Sequence, residues 1–179
     1  MNRKGIILAG GYGTRMYPIN SAVSKHLLPI YDKPLIYYSI TTLMLANIRD
    51  ILIICTIKDK SLYKQILGDG SNFGINLSYK VQQIPNGIAE AFIIGEEFIG
   101  NNKVALILGD NLFFGQNLQN ILKGANNSNS VTVFSYNVSD PKRFGILKLN
   151  KKNKPIKIVE KPKSPNSNKA VTGLYFYNK

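Results

Sequence analysis

The sequence predicts an α/β protein built on an open and largely parallel sheet. Short apolar runs alternate, along the first part of the chain, with segments of helical periodicity, and this alternation is typical of strands covered by helices. The later part changes to closely spaced strand patterns separated by turns. We therefore expect one domain, residues 1–179, with a doubly wound first part and a β-rich second part.

Four apolar runs predict the parallel strands, and three helical patterns follow them. The strands are expected at 4–10, 50–56, 77–82 and 103–110, and the helices at 34–47, 60–68 and 86–100. Asp32 and Asp59 are candidates for the caps of the first two helices, and Gly100 is expected to end the third. The strands of the second part are expected at 130–138, 144–150, 155–161 and 171–178.

Composition limits the class of protein. The chain has 179 residues, of which 44% are hydrophobic, so it is long enough to bury a sizeable core. Its N-terminal apolar run, 5–9, is too short for a secretory signal, and no run is long enough to span a membrane. We expect a cytoplasmic protein without a membrane partner. The single cysteine, Cys55, lies within an apolar strand and is interpreted as a buried hydrophobic residue.

The net charge of +13 raises the possibility of nucleic-acid binding. The densest basic segment, 148–169, alternates lysine with asparagine and proline and has no aromatic residues for base stacking. The joint abundance of Lys, Asn and Ile is also what an A+T-rich coding sequence produces. We therefore interpret the charge as a solvated basic face and expect no nucleic-acid partner.

Polar clusters follow the predicted strands at 10–15, 82–87, 109–111 and 159–162. In an open α/β sheet the ligand binds beyond the carboxyl ends of the strands, so these clusters are expected to share one crevice. The first cluster, "GGYGTR", combines a flexible backbone with Arg15, and Lys25 follows closely. This combination suits a polyanion, although a tight strand-to-helix turn is the alternative explanation for the glycines alone.

Other motifs exclude several classes of site. The glycine loop lacks the third glycine of the dinucleotide fingerprint and the Gly-Lys-Ser/Thr of a P-loop. His26 is the only histidine, which excludes a histidine-dependent triad and a multi-histidine zinc site. Asp110 ends an apolar strand, where a single carboxylate suits Mg²⁺, or else it caps a helix that begins near Gly115.

In combination, these motifs resemble the glucose-1-phosphate thymidylyltransferases, a group of sugar-phosphate nucleotidyltransferases. The resemblance runs from Lys4 to Tyr177 and is carried by "KGIILAGGYGTRMYPIN" together with 24–40, 67–100, 106–111, 140–147 and 159–177. It implies a Rossmann-like mixed sheet of the nucleotide-diphospho-sugar transferase type. It also implies an enzyme that uses Mg²⁺ to make dTDP-glucose and pyrophosphate from dTTP and glucose 1-phosphate, at the head of the route to dTDP-rhamnose and surface polysaccharide.

The resemblance assigns a role to each motif. It implies nucleotide contacts at Gly10, Gly11, Gly13, Thr14, Gln82, Pro85 and Gly87. Arg15, Lys25 and Lys161 are implied to hold phosphate groups during catalysis, and Asp110 to bind the metal. Gly145, Glu160 and Val171 resemble the pocket for glucose. Gln82 suits thymine because an amide can both donate to and accept from the edge of a base.

Two kinds of departure accompany the resemblance. Tyr12 and His26 stand where the family usually has a small residue and a glutamine. Family members also continue past Tyr177, through a segment whose aspartate supplies a second Mg²⁺ ligand, and full-length relatives are homo-oligomers. The 179-residue chain is therefore expected to be C-terminally incomplete relative to the family and weakly active. The alternatives are a non-catalytic nucleotide-binding relative or a nucleotidyltransferase for another nucleotide or sugar phosphate.

Overall fold

A computed structural model describes residues 2–11, 16–19, 23–84, 86–152 and 154–178. The chain divides into two compact units, Met1–Thr132 with Phe176–Lys179, and Val133–Tyr175. The first unit alternates strands and helices and the second is built mainly from strands, so the expected α/β class is confirmed. The assignment of 1–179 to one domain stays a prediction.

The first unit is organised around four parallel strands. Its strands are β1 (Arg3–Ala9), β2 (Pro29–Ile30), β3 (Lys33–Pro34), β4 (Asp50–Cys55), β5 (Asn76–Val81) and β6 (Lys103–Leu108). The parallel strands lie in the order β5-β4-β1-β6, whereas β2 and β3 form a separate small antiparallel hairpin. The four runs predicted from the sequence therefore match the four parallel strands to within two residues at each end.

Strand β1 lies at the centre of this sheet. It pairs with β4 from Gly5↔Ile51 to Ala9↔Cys55, and with β6 from Arg3↔Lys103 to Leu8↔Leu108. Side chains on both faces are inaccessible to solvent, which explains why the strands are apolar without alternation. The fully buried residues of these strands include Ile6, Ile7, Ile51, Leu52, Ile53, Ile54, Leu106 and Ile107.

Helices cover this sheet. They are α1 (Leu35–Leu45), α2 (Lys60–Leu67), α3 (Glu90–Ile94), α4 (Glu96–Ile99) and α5 (Leu118–Asn127). Helix α1 approaches β1 closely at Gly5, where an added Cβ would lie 2.8 Å from Leu43 Cδ1. A glycine in the central strand thus allows the buried Leu43 to pack directly against the backbone of the sheet.

The sequence-based assignment of the first helix cap was wrong. Pro34 occupies the N-cap of α1, and Asp32 lies in the turn between β2 and β3, where its Oδ1 is 2.7 Å from Lys33 Nζ. Asp59 does occupy the N-cap position of α2, but its Oδ2 accepts a hydrogen bond from Thr56 Oγ1 at 2.8 Å and makes no cap bond to the helix. Short polar side chains form such alternative local bonds readily.

The helix expected over 86–100 is divided into α3 and α4 at Gly95. This glycine packs against the sheet, since an added Cβ would lie 2.9 Å from both Ile6 Cδ1 and the carbonyl oxygen of Ala91. The expected end at Gly100 is confirmed, because Gly100 is the C-cap of α4 with a positive φ of 53°. Glycine adopts a positive φ at little cost because it has no Cβ.

The second unit carries the remaining strands. They are β7 (Thr132–Asn137), β8 (Gly145–Leu149), β9 (Pro155–Glu160) and β10 (Lys169–Tyr177). The first residue of β7, Thr132, and the last two residues of β10, Phe176 and Tyr177, belong to the first unit. The strand order is β10-β8-β9, with β7 also paired to β10. Asn150 Oδ1 accepts hydrogen bonds from the backbone N–H groups of Lys152 and Lys154, both at 2.9 Å, in the predicted turn between β8 and β9.

Cys55 is fully buried at the end of β4. Burial raises the pKa of its thiol to about 11, so the thiol is protonated at neutral pH. The interpretation of Cys55 as a buried hydrophobic residue is thus confirmed. Separately, no helix in the described part of the chain combines the length and the apolar character needed to cross a membrane.

The packing at Gly95 generates a test of the fold. Gly95→Ala should lower the free energy of unfolding by about 1–3 kcal/mol, because the new methyl group collides with Ile6 and with a backbone oxygen. Gly124→Ala, inside α5, is the matched control, since its Cβ meets no atom within 4 Å. It should stabilise the protein by about 0.5–1 kcal/mol. Urea denaturation of both variants measures the difference, and equal shifts would contradict the close packing of Gly95.

Candidate functional site

The carboxyl ends of the parallel strands bring several predicted site residues to one edge of the first unit. Gly10 and Gly11 follow β1, Gln82 follows β5, and Asp110 comes two residues after β6. Backbone hydrogen bonds extend the pairing beyond the strands, with Gly109 N donating to Leu8 O and Gln82 N donating to the carbonyl oxygen of Cys55, both at 2.9 Å. The positions of these segments are therefore fixed by the sheet itself.

Two cavities open at this edge. The first cavity has a volume of about 210 Å³ and is lined by four residues predicted to bind the nucleotide or the metal: Gly11, Gln82, Gly87 and Asp110. The other residues that line it are Leu8, His26, Ile88 and Leu108. The other, of about 170 Å³, is lined by Gly11, Ser24, Lys25, Thr56, Ile57, Lys58, Asp59 and Gln83. Gly11 borders both cavities. The structure thus brings Gly11, at the start of the predicted glycine loop, together with the Gln82 segment and Asp110.

Lys25 and Asp110 form an ion pair at this site. Lys25 Nζ lies 2.8 Å from Asp110 Oδ2, and the two side chains are 30% and 34% exposed. Burial by itself would raise the pKa of Asp110. The hydrogen bond from Lys25 and its positive charge, together with a hydrogen bond from Asn111, outweigh burial, so the pKa lies below its usual value. The pair therefore keeps a carboxylate and an ammonium group in contact beside open space.

Asp110 is the described residue most suited to hold a divalent cation at this edge. Among the residues that the structure describes, no three His, Cys, Asp or Glu side chains form a cluster able to hold a metal ion. One partly exposed carboxylate at the end of a strand nevertheless fits Mg²⁺, which completes its octahedral shell with water and phosphate oxygens. The helix-cap alternative for Asp110 is wrong, because Asn117 is the N-cap of α5.

His26 lines the same cavity as Asp110 and is only 4% exposed. Its Nδ1 is 3.3 Å from Ser24 Oγ, which in turn is 3.2 Å from the hydroxyl oxygen of Tyr63. Burial lowers the pKa of His26 to about 4, with Lys25 contributing in the same direction, while the carboxylates of Asp110 and Asp59 partly oppose the shift. The imidazole is accordingly neutral at physiological pH.

Gln82 is 3% exposed and holds a defined orientation. Its Nε2 donates to Glu90 Oε2 at 2.6 Å, and its Oε1 lies only 2.5 Å from the position that a Cβ on Gly10 would occupy. Glu90 also accepts from Asn86, through the backbone N–H at 3.3 Å and Nδ2 at 3.4 Å. The sequence analysis did not identify Glu90, and the spacing Asn86 to Glu90 at the start of a helix is the signal that could have indicated it.

In the second unit, the structure brings the predicted sugar residues close together. Gly145 pairs with Glu160 across β8 and β9, and a Cβ on Gly145 would lie 3.0 Å from Glu160 Oε2. Lys161 Nζ is 3.4 Å from Glu160 Oε1. Ala170 pairs with Ile146, so Val171 lies beside the start of β8. The absence of a side chain at position 145 leaves room for the carboxylate of Glu160.

Lys161 is held in an unusual backbone conformation. Its φ is 40°, and its backbone N–H donates to the carbonyl oxygen of Phe144 at 3.1 Å. A positive φ in a non-glycine residue is uncommon and often marks a functional position. The four remaining candidates, Gly13, Thr14, Arg15 and Pro85, lie outside the described residues, as does Tyr12, which departs from the family pattern.

A larger cavity of about 570 Å³ lies at the opposite edge, near the amino ends of β1, β4 and β6. Its three cationic side chains already bind backbone carbonyl groups. Arg3 donates to Tyr177 O at 2.6 Å, Arg49 to Met44 O at 2.8 Å, and Lys103 to Ser128 O at 3.4 Å. The volume of a cavity therefore does not identify the functional site. The predicted site residues line the smaller cavities at the carboxyl edge.

Comparison with known proteins decides the family. The sequence profile of the nucleotidyl transferase family matches residues 4–179. The chain belongs to the nucleotidyl transferase family. Within it, the glucose-1-phosphate thymidylyltransferase of Neisseria meningitidis serogroup A is 57% identical over 176 residues, which cover 98% of this chain and 61% of that relative. This chain thus spans less than two thirds of the length of the curated relative.

Solved nucleotidyl transferase structures share the fold. A Bacillus anthracis protein assigned as a glucose-1-phosphate thymidylyltransferase and crystallised with sucrose has a TM-score of 0.90 and 41% identity, and the match covers 98% of this chain and 71% of that one. UDP-glucose pyrophosphorylase in complex with UDP-glucose has a TM-score of 0.83 and 28% identity, with coverage of 99% and 76%. The expected Rossmann-like mixed sheet of the nucleotide-diphospho-sugar transferase type is confirmed.

The buried imidazole makes the stability of this nucleotidyl transferase chain depend on pH. His26 has a pKa of about 4 when folded and one near 6.5 when unfolded, so its contribution is complete above pH 6.5 and is lost as the pH falls towards 4. Between pH 7 and pH 5 the free energy of unfolding should fall by about 2 kcal/mol from this group. Urea titrations at the two pH values measure the change.

His26→Gln is the matched variant, because it removes the titrating group and retains polar hydrogen-bonding capacity. The chain has no other histidine, so the variant should lose most of the decrease in stability between pH 7 and pH 5. An equal decrease in the variant and the wild type would show that His26 is not the group responsible.

Proposed function

We propose that this protein transfers a thymidylyl group from dTTP to α-D-glucose 1-phosphate, forming dTDP-glucose and releasing pyrophosphate. The observation that carries the proposal is the cavity lined by Gly11, Gln82, Gly87 and Asp110, which unites the start of the glycine loop, an amide suited to a base and a carboxylate suited to a metal. The identity of 57% to a thymidylyltransferase supports this choice of nucleotide and sugar.

The triphosphate would lie against the glycine loop at the carboxyl end of β1. Gly10, Gly11 and Gly13, with Thr14, would offer backbone donors to the phosphates, and Arg15 would hold the departing pyrophosphate. Gln82, Pro85 and Gly87 would contact thymine. Gln82 supports this role because its amide is buried and held by Glu90 at the wall of the cavity.

The chemistry proposed is an in-line attack by the phosphate oxygen of the sugar on the α-phosphorus of dTTP. Positioning and charge neutralisation account for most of the catalysis in such reactions, so no covalent enzyme intermediate is required. Lys25 would contact the phosphate at the reacting centre, and Lys161 would hold the phosphate of the sugar. Gly145, Glu160 and Val171 would form the glucose pocket, with the carboxylate of Glu160 accepting from sugar hydroxyls.

Asp110 would hold Mg²⁺, which supplies positive charge that stabilises the phosphate oxygens during transfer. The lowered pKa of Asp110 supports this assignment, because it keeps the side chain an anionic oxygen ligand, and Mg²⁺ would replace the ammonium group of Lys25 at Oδ2. We further propose that the protein acts in the cytoplasm as a homo-oligomer, and that its product enters the route to dTDP-rhamnose and surface polysaccharide.

A second candidate is the corresponding reaction with UTP. The fold similarity to UDP-glucose pyrophosphorylase favours it, with a TM-score of 0.83. Thymine and uracil present the same hydrogen-bonding edge, so Gln82 by itself does not separate them. Calorimetric titration with dTTP and UTP distinguishes the two candidates, and tighter binding of UTP would replace the first proposal with the second.

Nucleotide binding provides the first test of the proposed site. Gly10→Ala should weaken dTTP binding by roughly tenfold or more, because its Cβ would displace Gln82 Oε1 from a side chain that is buried and bonded to Glu90. Gly124→Ala, on α5, is the control and should bind like the wild type. Calorimetric titration with dTTP measures the affinity of both variants. Titration of the wild type with GTP is a further test, because tighter binding of GTP than of dTTP would reject a base-reading role for Gln82.

Turnover provides the second test. Asp110→Asn should lower pyrophosphate release by roughly 10²–10³-fold in the presence of Mg²⁺, the scale for removing one group that stabilises transition-state charge. Asp32→Asn, in the exposed pair with Lys33, is the matched control and should retain activity. A coupled pyrophosphate assay with dTTP and glucose 1-phosphate gives the rates. Undiminished activity in Asp110→Asn would remove Asp110 from the site.

A further inference from the structure

The carboxylate of Glu90 determines the orientation of the Gln82 amide. Nε2 donates to Glu90 Oε2 at 2.6 Å, and hydrogen bonds to a charged carboxylate are stronger than those between neutral groups. An ionised carboxylate only accepts hydrogen bonds, whereas an amide has one accepting and one donating end. The nitrogen of Gln82 must therefore face Glu90, and the carbonyl oxygen must face away from it.

The opposite end of the amide lies against Gly10, and the Gln82 side chain borders the nucleotide cavity. Gln82 Oε1 is 2.5 Å from the Cβ position of Gly10, and Gln82 lines the 210 Å³ cavity together with Gly11 and Gly87. Glu90 does not line that cavity. It sits at the first position of α3 and also accepts from both nitrogens of Asn86. Glu90 therefore acts on the cavity only through the residues that it holds.

An amide held in this orientation distinguishes between pyrimidines. Thymine and uracil carry an N–H group at N3, which can donate to a fixed carbonyl oxygen. Cytosine carries an acceptor at N3, so its lone pair would face that oxygen and both groups would lose a hydrogen bond. Leaving buried polar groups unpaired is a strong basis for rejecting a ligand. A Gln82 amide free to rotate by half a turn would instead offer its N–H groups to cytosine.

We propose that Glu90 is a positioning residue that fixes the Gln82 amide and thereby selects nucleobases with an imide N–H over cytosine. The selection rests on the proposed function, because it assumes that the base contacts Gln82. The orientation of the amide is independent of the proposed function, because this orientation follows from the hydrogen bond between Gln82 and Glu90.

Glu90→Gln is the decisive variant, because it keeps the size of the side chain and provides both a donor and an acceptor. The Gln82 amide can then adopt either orientation, so the ratio of dTTP affinity to dCTP affinity should fall by about tenfold or more, the value of one hydrogen bond to a charged group. Glu97→Gln is the control, since Glu97 is 89% exposed on α4 and pairs with the partly exposed Lys80 at 3.1 Å. Its affinity ratio should equal that of the wild type.

Glu90→Asp tests the charge type separately. It keeps an acceptor-only carboxylate with a shorter reach, so it should retain more of the preference for dTTP than Glu90→Gln does. A merely structural role of Glu90 would lower both affinities by the same factor in every variant and leave their ratio unchanged. That result would overturn the proposal, as would an unchanged ratio in Glu90→Gln with thermal stability near that of the wild type.

Side-chain amide NMR measures the orientation without any ligand. In the wild type, the Gln82 Nε2 proton bonded to Glu90 should exchange slowly with solvent, and in Glu90→Gln this protection should decrease. Fast exchange in the wild type would overturn the positioning role whatever the variants bind. Failure of the wild type to bind dTTP or UTP would overturn the proposed function and the selection that depends on it. Normal dTTP binding by the wild type, with an unaltered ratio of dTTP to dCTP affinity in Glu90→Gln, would overturn the role of Glu90 alone.

Discussion

The parallel pairing of β1 with both β4 and β6 is the constraint on which the site in the first unit depends. Each strand is buried on both faces, so a shift of register would expose apolar side chains and displace the polar residues that follow. With the observed register, the chain leaves β1 at Gly10 and β6 at Gly109 on the same edge. The candidate site is therefore assembled by the same pairing that forms the core.

Residues outside the cavities determine how those inside present their polar atoms. Glu90 orients Gln82, and Ser24 links His26 to the buried hydroxyl of Tyr63. A buried polar group restricted by such a partner offers one hydrogen-bonding pattern rather than several. The wall of the cavity is thus arranged before a ligand arrives, which reduces the entropic cost of binding.

The sequence was most informative where one physical effect dominates. Apolar runs located the parallel strands, because burial on both faces leaves no other pattern, and the polar residues after them located the edge of the site. Contacts distant along the chain were not accessible in this way. Gly95, where α3 and α4 meet, packs against Ile6, and Glu90 gained its role from the position of Gln82. Each of these depends on tertiary neighbours that periodicity does not reveal.

The hydrogen bonds of Arg3 impose an order on folding. Its guanidinium group is buried and donates to Asn126, to the carbonyl oxygen of Tyr177 and to Asn178. Tyr177 and Asn178 lie 174 and 175 residues after Arg3 in the sequence, so these hydrogen bonds form only after the intervening residues have been synthesised. Contacts between such distant segments form slowly, because a long loop must close first. The guanidinium group of Arg3 therefore gains its acceptors on Tyr177 and Asn178 later than the central strand gains its backbone partners from β4 and β6.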